Sequence, residues 1–581
     1  MRQKQHKHFL NTKKLNIKQL NNTHINTKHI NTKHSNIKNS NIKNSNIKLT
    51  KRKTLKKHQT GGKVIASGTY GCVFYPPLKC DDESVNIADN TYISKLMYKD
   101  YAETENKINL AIKKITDTLN IQKYVLVDKT FMCNPKAPTA EDLKTFNTKC
   151  TIFNRPYLPK YKDKYTLTSE NIKQYITDEP NSVEENKLRI LQIQSGGIDL
   201  SKYIYKLFSI TDINELIKSI NELNKLLIDL LMNAIIPLRD NNYCHNDIKA
   251  ENILIKTNNT QSVNSNNSNN NSQSGYSSSG AYNSQSGRSS SRSSSRSGRS
   301  SSSSSSNTTH QSSKKRKIQA TTQEEEHSTI RIIDWGLYYE YESKIKPNQI
   351  PKIFNDYKFY GFNYPYSVIL FNNALIERCQ HKIKIMRDSA NPLLTNEQII
   401  NAYAIMLCDE FYIKEERFPY MENRIEYNNE YVKLLQSATS KYQATEDYIK
   451  LSAYKQLQLT NIINIKYCIW FKKMCIKKFF KRILDKYYDS TTHTLNIIDY
   501  FNEVYFKNAD IWGILTIYND LLIAVYKTLN ARTAQFKLFK DELSKILFKY
   551  IINYEYADKP FNIDELKTEL ASLPIINNPI L

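Results

Sequence analysis

Residues 245 to 255 read HNDIKAENILI, so His245, Asp247, Lys249 and Asn252 share a short polar run that passes straight into an apolar, β-prone tail. A carboxylate such as Asp247 can accept a proton, and an ammonium such as Lys249 can hold a phosphate in transfer. The carboxamide oxygen of Asn252 can help to bind a hard cation. A solvated loop accommodates the same residue types, so the run needs company. Asp334 in IIDWG closes an apolar strand at a glycine turn, a position that holds a carboxylate firmly enough to bind Mg²⁺. Lys95 lies among apolar neighbours in TYISKLMY, and Glu105 in the helical segment after it could form its ion pair. A surface lysine beside a solvated acidic helix face stays open as the plainer account. In the run from Ala66 to Val73, ASGTYGCV, glycines between strands would let backbone N–H groups approach phosphate oxygens with no Cβ in the way. An ordinary turn has the same appearance.

Holding these groups together requires a particular order of elements. GGKVIASGTYGCVFYPPL alternates, turns at glycines and returns, which predicts two paired strands, and TYISKLMY predicts a third. DYAETENKINLAIKKITDTL has helical spacing, with Asp100 as the expected cap. NKLRILQIQ predicts another strand, NELIKSINELNKLLIDLLMNAIIPL a long amphipathic helix, and TIRIIDWGLYY a strand ending in a turn. From about residue 372 the remainder is predicted to be mainly helical. The expected class is α+β, β-rich first and α-rich after, with a cleft between.

Charge is distributed unevenly over the 581 residues, whose formal net charge is +26. Residues 1 to 60 carry sixteen Lys or Arg and no acid, and residues 256 to 328 carry nine basic against three acidic. These two segments account for nearly all of the excess, so the rest is close to neutral. Nucleic-acid binding is thereby confined to the basic tails, with their KLTKRKTLKK and KKRK runs. Residues 1–60 repeat with a period near five and 257–328 are rich in Ser and Asn. Neither segment can bury enough apolar surface to offset chain entropy, so both are expected to be disordered. Nine cysteines without a CxxC pair predict a reducing, intracellular setting with no disulfide framework and no zinc ribbon. The greasiest run, IWGILTIYNDLLIAVY, contains Asn519 and Asp520 and is expected to be a buried helix; no transmembrane segment is expected.

Together the motifs resemble the eukaryotic-type protein kinase family, over about residues 62 to 340 and again near 510. The resemblance implies a bilobal fold with ATP between the lobes. Residues 61–197 would form the N-lobe and hinge and 198–581 the C-lobe, interrupted by the 257–328 insertion and by a helical insertion at 372–505. It implies a Gly-rich loop carrying Ala66, Ser67, Gly68, Thr69, Tyr70, Gly71 and Val73, and a phosphate-holding Lys95 paired with Glu105. The adenine-reading hinge would be Leu191 to Gln194, including Gln192 and Gln194. Asp247 would accept the proton, Lys249 would steady the γ-phosphate, and Asn252 and Asp334 would hold Mg²⁺. Lys249, two residues after the Asp, implies ATP-dependent transfer to Ser or Thr hydroxyls of a protein substrate. Asp510-Ile511-Trp512-Gly513 is similar to the start of the buried helix that anchors the family's catalytic loop.

The chain departs from the family at Ala66, which replaces a glycine, and at Asn246, which replaces an Arg that binds phosphorylated activation segments. The APE that ends such segments is absent, NYPYSVILF from Asn363 being the nearest candidate. These departures suggest a pseudokinase scaffold as the alternative. The Asn-, Lys-, Ile- and Tyr-rich composition, with GTYGCVFYPPLKC and SKLM, looks most like the Ser/Thr kinases of giant DNA viruses such as the mimiviruses, which implies host cytoplasm or virion. The basic run IINIKYCIWFKKMCIKKFFKRILDKYY predicts either a packed helical subdomain or a face turned to a partner or membrane.

Overall fold

The computed structural model describes residues 62–68, 70–82, 91–127, 130–154, 167–177, 187–257, 328–341, 350–355, 361–390, 393–415, 428–444, 456, 472–527 and 534–574. All lie in one compact unit, Gln59–Leu581. The tail at 1–60 and almost all of the Ser/Asn-rich block fall outside these residues, and so do the expectations of disorder placed on them. The protein is α+β, with a sheet in its N-terminal part and a mainly helical remainder.

Alternating apolar residues build β1 (Lys63–Ser67), β2 (Gly71–Tyr75), β3 (Tyr92–Tyr98), β4 (Phe131–Cys133) and β5 (Leu188–Gln194) into an antiparallel sheet of order β1-β2-β3-β5-β4. Strand alternation gives this sheet two different faces. On one, Val73, Lys95 and Leu191 form a cross-strand row. Helix α1 (Lys99–Leu119) packs on that side, through a cluster of Met97, Ala102 and Leu191. Asp100 is not the cap of α1: it lies in the first turn, and Tyr98 holds the cap position without a side-chain bond. A carboxylate inside the first turn still complements the helix dipole.

The opposite face is covered by three short helices that the sequence did not reveal, α2 (Ala140–Leu143), α3 (Phe146–Lys149) and α4 (Ile172–Thr177). Their Leu143, Phe146, Ile172 and Ile176 share a core with Val64, Phe74, Leu96 and Ile190. Two disulfides reinforce this part of the protein, Cys72–Cys150 from β2 to the end of α3 and Cys80–Cys133 from the segment after β2 to β4, over sequence separations of 78 and 53. The expectation of a chain without disulfides is corrected on this point. The partners meet only because the sheet order and the helical pad bring them together, and no local spacing encodes that. Cys244, Cys379, Cys408 and Cys475 are buried thiols outside either bridge.

The helical part starts with α5 (Leu200–Leu207) and α6 (Ile213–Leu230), the latter capped by Asp212 through the amides of Asn214 and Glu215. Short strands β6 (Ile198–Asp199), β7 (Tyr243–Cys244), β8 (Ile253–Lys256), β9 (Thr329–Ile332) and β10 (Tyr339–Glu340) follow. Strands β8 and β9 pair antiparallel with Lys256 opposite Thr329, so the Ser/Asn-rich block leaves and re-enters at neighbouring positions. Helices α7 (Asn373–Ser389), α8 (Asn396–Glu415), α9 (Asn429–Gln443) and α10 (472–487) occupy most of the described part of 372–505. In α10, Phe479, Phe480, Ile483 and Leu484 enter the main core, while Lys481, Arg482 and Lys486 pair with Asp485, Asp558 and Glu503. That is a packed helix rather than a bare basic face.

Helix α11 (Phe506–Lys527) runs through the centre of the protein, followed by α12 (Ala534–Leu547) and α13 (Ile563–Ala571). The stretch Ile497–Lys527 is the one described segment long and apolar enough to cross a membrane. Some 78% of its apolar window is buried inside the protein, as a core helix requires.

Candidate active site

Strand β7 delivers the chain into the loop at 245–252. Asn246 there adopts a left-handed backbone, φ 59°, which its short amide side chain tolerates better than most. Buried Asp510, from α11, accepts from the backbone N–H groups of His245 at 2.7 Å and Asn246 at 2.9 Å. Burial raises the Asp510 pKa, opposed by His245 and by these backbone donors. One turn on, Gly513 lies flush against Ile248, where a Cβ would run into the Ile248 carbonyl oxygen and side chain. The loop is thus hung from the core by backbone contacts. His245 also serves this purpose: its Nδ1 accepts from Asp247 N–H at 3.2 Å, so Nε2 donates to the Ile333 carbonyl at 3.0 Å.

Asp247 stands at the centre of the polar groups. Its Oδ2 accepts from Lys249 Nζ at 2.7 Å and Asn252 Nδ2 at 2.8 Å. Asn252 Nδ2 donates also to the Asp247 carbonyl at 2.9 Å, so both amide hydrogens are used on Asp247. The Asn252 carbonyl in turn accepts from Ile333 N–H at 2.9 Å, which fixes the residue before Asp334 against the loop. Asp334 is exposed, in a left-handed turn at φ 62°, and Trp335 after it is buried edge-on to the His245 ring at 4.6 Å. Two residues that the sequence did not mark complete the surroundings. Asn363 Nδ2 donates to Asp247 Oδ1 at 3.0 Å, and the Tyr364 hydroxyl lies 3.5 Å from the same oxygen. They belong to NYPYSVILF, but nothing local in that run sets its register against residue 247.

The sheet supplies the second set of groups. Lys95 Nζ contacts both Glu105 oxygens, at 2.8 and 2.6 Å, in a largely buried ion pair. Burial disfavours its charge, but Glu105 and then Asp334 outweigh that, and the Lys95 pKa is raised. The Asp334 contribution brings the two parts of the chemistry into one electrostatic neighbourhood. Tyr70 reports the same: burial raises its pKa first, then Tyr101 and Asp334, and its ring leans on Tyr101 at 4.9 Å. In the glycine turn, Gly68 N–H donates to Gly71 O at 2.9 Å. Gly71 is small for a reason other than phosphate access, since a Cβ there would strike the Leu96 carbonyl of β3, whereas a Cβ at Gly68 would meet only the Gly71 carbonyl oxygen at 3.8 Å, an ordinary contact. Ala66 pairs with Val73 and is not among the positive-φ residues, so its methyl is accommodated. The Ser67 hydroxyl lies 3.6 Å from Cys72 Sγ, and Thr69 lies outside the described residues.

Gln192 is a correction. Its backbone is paired on both sides within the sheet, opposite Ser94 and Phe131, and its buried amide donates to the Leu78 carbonyl at 3.2 Å. It therefore belongs to the face turned away from Lys95. Gln194 is still strand, opposite Tyr92. The connection into the helical part is Ser195–Gly197, with Gly197 at φ 105° packed on the Ile255 carbonyl.

Among the described residues no group of three or more His, Cys, Asp or Glu side chains could hold a metal by itself. Asn252 and Asp334 offer two oxygen donors, which suits a hard cation that takes its other ligands from phosphate and water. No protein-family model matches this chain, and no curated protein matches it in sequence.

Proposed function

We propose that the chain transfers the γ-phosphoryl group of ATP to Ser or Thr hydroxyls of protein substrates, in a bilobal kinase-like arrangement with the sheet as one lobe and the helical part as the other. The observation that carries this reading is the grouping of Lys249 and Asn252 on one oxygen of Asp247, with Asp334 tied in through Ile333 and felt electrostatically at Lys95. Lys95, steadied by Glu105, would neutralise the α- and β-phosphates, and Lys249 would meet charge on the γ-phosphoryl group as it moves. Mg²⁺, held by Asn252 and Asp334, would supply further neutralisation of the phosphate oxygens. As the acceptor oxygen bonds to the γ-phosphorus and the bond to the β–γ bridging oxygen breaks, the hydroxyl proton passes to Asp247 and ADP leaves.

Asn246 stands where an Arg would bind a phosphorylated activation segment. Its amide instead donates to the Leu337 carbonyl and the Tyr341 hydroxyl, both at 3.2 Å. This supports activity that needs no such phosphorylation. The test is a γ-phosphate transfer assay with generic Ser/Thr substrates and Mg²⁺, on the chain and on Lys95→Met. Transfer by the former is expected, with weaker ATP binding and slower turnover in the variant. ATP binding without transfer would favour the scaffold reading, and unchanged behaviour of Lys95→Met would assign the phosphate cation elsewhere.

A further inference from the structure

We infer that Asn363 is a positioning residue for Asp247, and that Tyr364 marks the place the acceptor hydroxyl takes; this rests on the phosphotransfer reading above. Lys249 and Asn252 use one carboxylate oxygen of Asp247, which leaves Oδ1 to set how the group is turned toward substrate. Asn363 Nδ2 holds that oxygen at 3.0 Å. The segment carrying Asn363 is itself held: the Trp512 indole N–H donates to the Phe362 carbonyl at 3.0 Å, and Gly361 leaves room that a Cβ would take from Asn363 Oδ1. Helix α11 therefore grips both sides of one contact, the 245–252 loop through Asp510 and the Asn363 segment through Trp512.

The Tyr364 hydroxyl also addresses Oδ1, but at 3.5 Å, the outer limit of a hydrogen bond. Burial, and then the Asp247 charge, raise the phenol pKa well above its usual value, so it remains a donor. A donor hydroxyl at that oxygen is what an incoming Ser or Thr would have to be, with an O–H···O contact nearer 2.7 Å. Asn363 keeps its bond while the looser phenol is displaced. In the transfer step the acceptor oxygen bonds to the γ-phosphorus, the bond to the bridging oxygen breaks, and the proton goes to Oδ1.

Steady-state kinetics on the full chain, with ATP and a Ser/Thr peptide, separate these roles. Asn363→Ala is expected to lower kcat at least about tenfold at unchanged KM for ATP, a modest share of what a well-placed proton acceptor contributes. Asn363→Asp keeps the shape but sets a second carboxylate beside Asp247, and should move the acidic limb of the kcat profile to higher pH. Tyr364→Phe removes a competitor for Oδ1 and should lower the acceptor KM by about twofold to tenfold, the range for one hydrogen bond. If wild type transfers phosphate and Asn363→Asp, with a native melting temperature, matches its kcat and pH profile, the positioning role is overturned. A raised acceptor KM in Tyr364→Phe overturns the displacement. Absence of transfer by wild type instead removes the phosphotransfer reading and this inference with it.

Discussion

In the N-terminal sheet, Lys95 sits in the middle of a strand paired on both sides, with a layer of short helices on the opposite face and two disulfides, one joining β2 to the end of α3 and one joining the segment after β2 to β4. In the helical part, Asp247 sits on a loop that is hung from one core helix by Asp510, Gly513 and, through the Asn363 segment, Trp512. A ladder fixes a side chain through many interchangeable bonds, whereas a hung loop depends on a few that have no substitute. The contrast teaches where each half should be fragile: in buried polar atoms for the helical part, and in covalent links and apolar cover for the sheet.

The hardest blow to that contrast is Asp510→Ala, which leaves the His245 and Asn246 amides in the core without their acceptor. Each unsatisfied buried donor costs about 1 to 3 kcal/mol, so the two together should cost about 2 to 6 kcal/mol, the denaturation midpoint should fall markedly and transfer should be lost with it. A midpoint equal to wild type would mean that the loop has another anchor. Serine at both Cys72 and Cys150 should act next, by about 2 to 4 kcal/mol, since a bridge over so long a separation mainly restrains the unfolded chain. Urea unfolding of the oxidised chain and the double variant measures this, and coincident curves would show that the pad holds the sheet without the bridge. The smallest effect is expected from replacing residues 258–327 with an Asn-Gly turn. Lys256 and Thr329 are already neighbours in a hairpin, and closure entropy changes by only about 0.6 kcal/mol per doubling of loop length. Loss of folding or transfer would show that the block contributes to the helical part.

How much of this could be seen beforehand follows from the range of each interaction. Strands β1, β2, β3 and β5 and helices α1, α6 and α11 are written in local periodicity, and the meeting of Lys249 and Asn252 at Asp247 is legible because one short loop before a strand carries all three. The contact of Asn363 with Asp247 spans 116 positions and the Cys72–Cys150 bridge 78, so neither leaves a local trace. Gln192 was misplaced for a different reason: strand alternation decides its face, and a shift of one position in the end of β5 sends the side chain to the other side of the sheet. The pad of α2 to α4 was missed because helices of four to six residues are too short to show a periodic face.

The most direct test of the central claim is Asp247→Asn, measured for ATP binding and for phosphotransfer side by side. The substitution removes the proposed proton acceptor and the charge facing Lys249, yet it leaves in place the Lys95–Glu105 pair proposed to hold the α- and β-phosphates. Turnover is expected to drop by about 10²- to 10⁴-fold, the usual contribution of a general base, while ATP affinity stays close to wild type. Wild-type turnover in this variant would contradict the account.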